Sequence, residues 1–158
     1  LIRWFGIDRA ASRTAVDVQM VGYKYHMNNV TATIGLAQLP HTPRIIERHI
    51  ANGRYYDRAL QGIPGMTLCE WDAAAEPSYW LYTALVERRD DFVRRLGDRG
   101  IAAGTVHRRN DWHSVFSESQ CDLPGVDEFS ARMVHLPCGW WVTDEDREYI
   151  VRTIREGW

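Results

Sequence analysis

The chain has 158 residues, 45% of them hydrophobic, and a formal net charge of -2 from 19 basic and 21 acidic side chains. That supplies one sizeable core but not two full domains, and the charge balance gives no net attraction to nucleic acid or to an anionic membrane. Cys69, Cys121 and Cys138 lack short paired spacing and no apolar run approaches a membrane span, so the expected setting is reducing and cytoplasmic, with the cysteines as small buried hydrophobes.

The chain opens at Leu1 in what reads as mid-element sequence, so a piece of a longer protein is expected. "LIRWFGIDR" resembles the tail of a helix or strand, and "AASRTAVDVQMV" reads as loop with room for a short strand. From Asn28 the pattern turns helical. Val30, Ile34 and Ala37 share one face and Ala32, Gly35, Leu36 and Leu39 fill another, which predicts a helix covered on nearly all sides, against another domain or a partner subunit. Asn28 or Asn29 is a good N-cap, and Pro40 ends the helix. A second helix is expected at once, capped by Thr42 with Pro43 in its first turn, carrying Ile45, Ile46, Ile50, Tyr56 and Leu60 inward and stopped by "GIPG".

"MTLCEW" and "SYWLYTALVE" read as strands, the second so continuously apolar that cover on both faces is expected. Asp90 opens a helix over "DDFVRRLGDRG", with Phe92, Val93 and Leu96 inward and Gly100 as its stop. "IAAGTVH" reads as a third strand, residues 108–125 as irregular, and "VDEFSARMVHL" as a short helix leading into "LPCGWW". In the last helix, "TDEDREYIVRTIREGW", Thr143 and Asp146 have capping-box spacing, and Ile150, Val151, Ile154 and Trp158 form the stripe. The expected fold class is α+β: two N-terminal helices followed by a small sheet with helices on one side.

Two stretches carry candidate chemistry. "GYKYHMNN" holds the chain's single lysine, Lys24, with Tyr25, His26, Asn28 and Asn29 just before a helix. It reads either as a helix cap beside a solvated charge or as an anion site, because free helix N–H groups and a lysine both favour phosphate; the two readings are compatible. "VHRRNDWH" places His107, Arg108, Arg109, Asn110 and His113 at a strand end. Planar cations and imidazoles there suit diphosphate or carboxylate, and Trp112 suits stacking on a sugar or base; the alternative is a solvated basic turn countered by Asp111. As metal ligands His107 and His113, six residues apart without a third partner, define no coordination sphere. Trp80, Tyr82, Trp140 and Trp141 read chiefly as core aromatics.

Five ordered blocks carry a resemblance: "GYKYHMNNVTATIGLAQL", "RIIERHIANGRYYDRALQGIPG", "SYWLYTALVERRDDFVRRLGDRGI", "VHRRNDWHSVF" and "LPCGWWVTDEDREYIVRTIREGW". Together they resemble the C-terminal part of the DegT-like nucleotide-sugar aminotransferases, fold-type I enzymes that use pyridoxal 5'-phosphate. The resemblance implies that residues 1–40 trail from the large cofactor-binding domain and residues 41–158 form the small domain. It implies a homodimer in which Lys24 and Asn28 contact the cofactor phosphate across the subunit boundary. It further implies that Tyr25, His26, His107, Arg108, Arg109 and Asn110 face the nucleotide-sugar substrate.

Lys24 stands where the family commonly has asparagine and His26 where it commonly has arginine. The residues after His107 depart from a tyrosine- and proline-containing version. The family's covalently modified lysine lies upstream, so no catalytic residue is expected here and this chain alone should be inactive. For the full-length enzyme, the implied reaction moves an amino group, with glutamate as donor, onto a nucleotide-linked keto-deoxysugar. A pyridoxal-phosphate-dependent sugar dehydratase on the same scaffold and a non-catalytic nucleotide-sugar-binding module are the alternatives.

Overall fold

A computed structural model describes residues 23, 27–107, 109–113, 117, 118 and 120–158. The chain divides into two compact units, Leu1–Thr42 and Pro43–Trp158. The readings of "LIRWFGIDR" and "AASRTAVDVQMV" lie outside the described residues.

In the first unit, α1 runs Asn29–Gln38. Asn28 is its extended N-cap: Oδ1 accepts the Thr31 N–H at 2.9 Å, satisfying one of the donors that a helix start leaves unpaired. No residue of α1 is buried, and Val30 and Leu36 are each 70% exposed. The apolar pattern marks a helix that needs covering and says nothing about whether the cover comes from the same chain.

Pro40 does not break the helical path but converts it to a 3-10 turn at Leu39–His41. Thr42, with φ -58° and ψ -43°, is therefore already helical and is the first residue of α2 (Thr42–Ala59), where an extended N-cap had been expected. α2 buries Tyr56, and Leu60 just beyond it, as its stripe predicts, together with Asn52 and Gly53, whereas Ile46 is exposed. Gly62 and Gly65 both have positive φ and turn the chain into β1 (Met66–Leu68).

β1, β2 (Tyr82–Val86) and β3 (Met133–Leu136) form one antiparallel sheet in that order, with Met66 opposite Val86 and Tyr82 opposite Leu136. Between β2 and β3 come α3 (Arg89–Asp98) and α4 (Pro124–Arg132), and α5 (Asp144–Arg155) follows β3. On one sheet face Tyr82, Ala84, Val86, Val134 and Leu136 pack with Tyr56 and Leu60, with Phe92 and Leu96 from α3, and with Ile150, Val151 and Ile154 from α5. This is the α+β arrangement expected, a sheet with one face under helices. β2 is not covered equally on both faces: it alternates buried and half-buried residues, so the other face differs in kind.

Two strand expectations need correcting. "IAAGTVH" contributes only one bridge, Gly104 to His135, because the next available donor, the Val106 N–H, goes to the His135 ring instead of to a backbone carbonyl. "MVHL", expected as the end of a helix, is β3. Met133 caps α4 with extended dihedrals (φ -59°, ψ 131°), so helix passes to strand with no linker and no composition break to mark it.

The starts and stops of the remaining helices agree closely with expectation. α3 begins one residue before Asp90, behind a left-handed Arg88, and Gly100 follows it at φ +74°. Thr143 Oγ1 accepts the Asp146 N–H at 3.1 Å while Asp146 Oδ2 accepts the Thr143 N–H at 2.9 Å, the full capping box.

α2 is tied to the loop between β3 and α5, and to the start of α5, by polar contacts, that of Asn52 buried. Asn52 Nδ2 donates to the Gly139 carbonyl at 3.0 Å and Tyr56 donates to the Pro137 carbonyl at 2.9 Å. Arg48 donates to the Val142 carbonyl and pairs with Asp144 at 2.7 Å. Asp57 accepts from the hydroxyls of both Tyr79 and Tyr82, and burial, reinforced by that carboxylate, pushes Tyr79 up to about 12. The Tyr79 ring lies over Gly53, where a Cβ would come within 2.1 Å of it. No helix among the described residues is long and apolar enough to cross a membrane.

Candidate functional site

The sheet face turned away from the helical core carries Thr83, Leu85, Met133 and His135, and Gly104 pairs with His135 at the free edge of β3. His135 is only 5% exposed. Its backbone exchanges both hydrogen bonds with Gly104, at 2.8 and 3.1 Å. Its ring Nδ1 lies 3.1 Å from the Val106 nitrogen and 3.2 Å from the Gly104 oxygen. Val106 can only donate, and the Gly104 oxygen already accepts from the His135 backbone, so the consistent assignment has Nδ1 accepting and the ring proton on Nε2. Burial lowers the pKa of His135, His107 adds to the depression, and the Gly104 carbonyl opposes it.

His107 stands edge-on to His135, ring centroids 5.8 Å apart at 86°, and 5.7 Å from the tilted indole of Trp80. It also lines a cleft of about 310 Å³ with Arg89, Thr105, Val106, Arg109, Trp112, Ser130 and Met133. The framework is closed by backbone acceptors: Thr105 Oγ1 donates to the Met133 carbonyl at 3.4 Å, and Arg89 Nη1 donates to the Ser130 carbonyl at 2.7 Å.

Arg109 proves to be a committed cation. Its side chain is 10% exposed, grips Asp111 in a two-point bond at 2.9 and 2.7 Å, and donates through Nη1 to Asp127. Those hydrogen bonds raise the Arg109 pKa, and the same pairing lowers that of Asp111. Its guanidinium also lies 5.4 Å from the Trp112 ring centroid. The cleft thus offers aromatic faces and hydroxyls more than free positive charge.

Of the residues singled out in the sequence, His107 and Arg109 meet at this cleft with Trp112, and Asn110 sits beside it at the start of the 3-10 turn Asn110–Trp112. Arg108 lies outside the described residues, as do Lys24, Tyr25 and His26; Asn28 belongs to the other unit. Trp80, expected in the core, is 68% exposed, and Trp140 and Trp141 are also exposed, whereas Tyr82 is buried as expected. Cys138 is the buried hydrophobe foreseen, its thiol pushed up to about 12 chiefly by burial. Cys121 is exposed and Cys69 half-buried, so neither matches that reading. Sequence reasoning missed His135, Thr105, Arg89 and Ser130. For His135 the one available signal was a histidine inside an apolar four-residue run.

The DegT/DnrJ/EryC1/StrS aminotransferase family model matches residues 1–155. The chain belongs to that family. Within the DegT/DnrJ/EryC1/StrS group, it is 30% identical to a dTDP-4-dehydro-2,3,6-trideoxy-D-glucose 4-aminotransferase from Saccharopolyspora spinosa, over 84% of this chain and 36% of that protein. It is 25% identical to a dTDP-4-amino-4,6-dideoxy-D-glucose transaminase from Shigella dysenteriae, over 95% of this chain and 44% of the relative. The solved sugar aminotransferase CalS13 from Micromonospora echinospora superimposes with a TM-score of 0.90 at 42% identity, over 99% of this chain and 43% of the other. AtS13 from Actinomadura melliaura gives 0.88 at 43% identity, with the same coverage. The chain therefore spans less than half the length of these relatives.

Proposed function

We propose that this chain is the substrate-facing C-terminal part of a pyridoxal-phosphate-dependent aminotransferase. The whole protein would transfer an amino group from glutamate to the keto group of a nucleotide-linked deoxysugar in the cytoplasm. The observation that carries this reading is the family match along nearly the whole chain. The likeness to CalS13 supports it over the same length, at an identity well above that of a shared fold alone. Residues 1–40 would trail from the cofactor domain, residues 41–158 would form the small domain, and the active protein would be a homodimer.

The residues present fit a phosphate group. Asn28 engages its oxygen in capping α1, and the remaining N–H groups of that ten-residue helix start favour an anion. In this reading Lys24 and Asn28 hold the cofactor phosphate across the subunit boundary, with Tyr25 and His26 beside the substrate. The cofactor, when bound, supplies the electron sink and carries the amino group. The chain's own residues bind and orient: His107 faces the nucleotide sugar, Arg108 and Asn110 frame it, and Arg109 acts through the loop it braces. α1, none of whose residues is buried here, would be covered by the upstream domain or by the partner subunit.

The test is to supply pyridoxal phosphate to the full-length protein and to this chain, reduce with borohydride, and map the modified lysines by mass spectrometry. The reading expects a stoichiometric adduct on a lysine upstream of this chain and none on Lys24. A saturable adduct on Lys24 would overturn it.

A further inference from the structure

We infer that Trp80 and His107 form a stacking shelf for the nucleobase of the substrate, and that this cleft reads the base and not the diphosphate. The inference deepens the nucleotide-sugar reading and rests on it. Three observations carry it. First, Trp80 exposes most of its indole, although indoles are commonly packed away, and it does so 5.7 Å from a histidine that lines a cleft. Second, the shelf is rigidly backed. His107 rests on the edge of buried His135, and His135 holds the backbone leading to His107 through the Val106 N–H and both Gly104 hydrogen bonds. A planar ring that stays in place loses little freedom when another ring settles on it.

Third, Arg109, a guanidinium that lines the cleft, is already neutralised. Arg109 is shared between Asp111 and Asp127, so an incoming phosphate would have to displace two carboxylates. The same ion pairs hold Arg109 beside Trp112, a second exposed indole lining the cleft. A volume of about 310 Å³ is at the small end of ligand sites and suits one planar ring with its sugar.

The test titrates the full-length protein with uridine, with thymidine and with inorganic pyrophosphate, following binding by calorimetry and by ligand-observed NMR. Wild type is compared with Trp80→Ala, Trp80→Phe and a control at an exposed indole elsewhere, Trp140→Ala. The shelf predicts that both nucleosides bind, that Trp80→Ala weakens them about tenfold, within the usual range of base–aromatic stacking, and that Trp80→Phe retains most of the affinity. Trp140→Ala should leave binding unchanged. Pyrophosphate should bind more weakly than either nucleoside and be indifferent to Trp80.

Nucleoside affinity unaltered in Trp80→Ala, or pyrophosphate binding that exceeds nucleoside binding, would overturn the shelf. If the full-length protein still aminated a nucleotide sugar in that event, the shelf would fall alone and the aminotransferase reading would stand.

Discussion

The two faces of the small sheet are built from alternate residues of the same strands and do different work. Along β2 and β3, Tyr82, Ala84, Val86, Val134 and Leu136 turn into a core closed by α2, α3 and α5. Thr83, Leu85, Met133 and His135 turn to the opposite side, where Met133 lines the cleft. The first face is apolar and sealed. The second is only partly covered, and there a buried imidazole fixes the backbone on which His107 stands. The difference shows how one short sheet can close a core on one side and border a cleft on the other: a side-chain period of two separates the two sides without any change of element.

Changes on the sealed face should cost most. Phe92→Ala removes a fully buried ring that packs edge-on against Trp158 at 4.9 Å and should lower stability by about 3–5 kcal/mol in urea unfolding. Gly53→Ala tests the same side through the Tyr79 ring, which the new methyl group would have to displace. A loss of about 1–3 kcal/mol is expected, with less if Tyr79→Ala is made in the same protein. Equal losses in both backgrounds would show that the close approach is not the cause.

The second face should show its character through pH. Burial holds His135 below the usual histidine range; the groups facing its ring are His107, the Gly104 carbonyl and the Val106 N–H. The unfolded chain therefore takes up this proton first, from about pH 6.5 downward. The associated stability is complete above that pH and is lost as pH falls through the lower folded value. His135→Gln should flatten the decline relative to wild type; an unchanged pH slope would show that His135 does not titrate as described. The smallest effect belongs to Trp80→Ala, whose exposed side chain should leave stability within about 0.5 kcal/mol of wild type while ligand binding changes.

Much of the sealed face was legible in the sequence because its signals are local. Thr143 and Asp146 announce a helix start by chemistry alone, Gly100 its end by backbone freedom, and the periodicity of α5 names its buried residues. β3 was hidden because Arg132 passes into Met133 without a turn residue. Buried Asn52 was hidden because its partners, the Gly139 carbonyl and the Arg147 guanidinium, lie far along the chain, which no local pattern encodes. The site was half legible. His107 and Trp112 could be proposed from residue type at a strand end, and Asp111 could be read there as a counter-charge, but the second carboxylate on Arg109, Asp127, comes from a separate helix. Trp80 looked like core because exposure is decided by what packs over a strand's end and not by the strand's composition. The apolar helix α1 was read correctly as a helix, while what covers it is not encoded in its own periodicity.

The most direct test of the whole account uses the full-length protein loaded with pyridoxal phosphate, incubated with ¹⁵N-amine-labelled glutamate and a nucleotide-linked 4-keto-6-deoxysugar, with the sugar product read by mass spectrometry. The account predicts a product carrying one ¹⁵N and an equal amount of 2-oxoglutarate. A product that has lost water and gained no nitrogen, or no change in the sugar at all with cofactor bound, would contradict it.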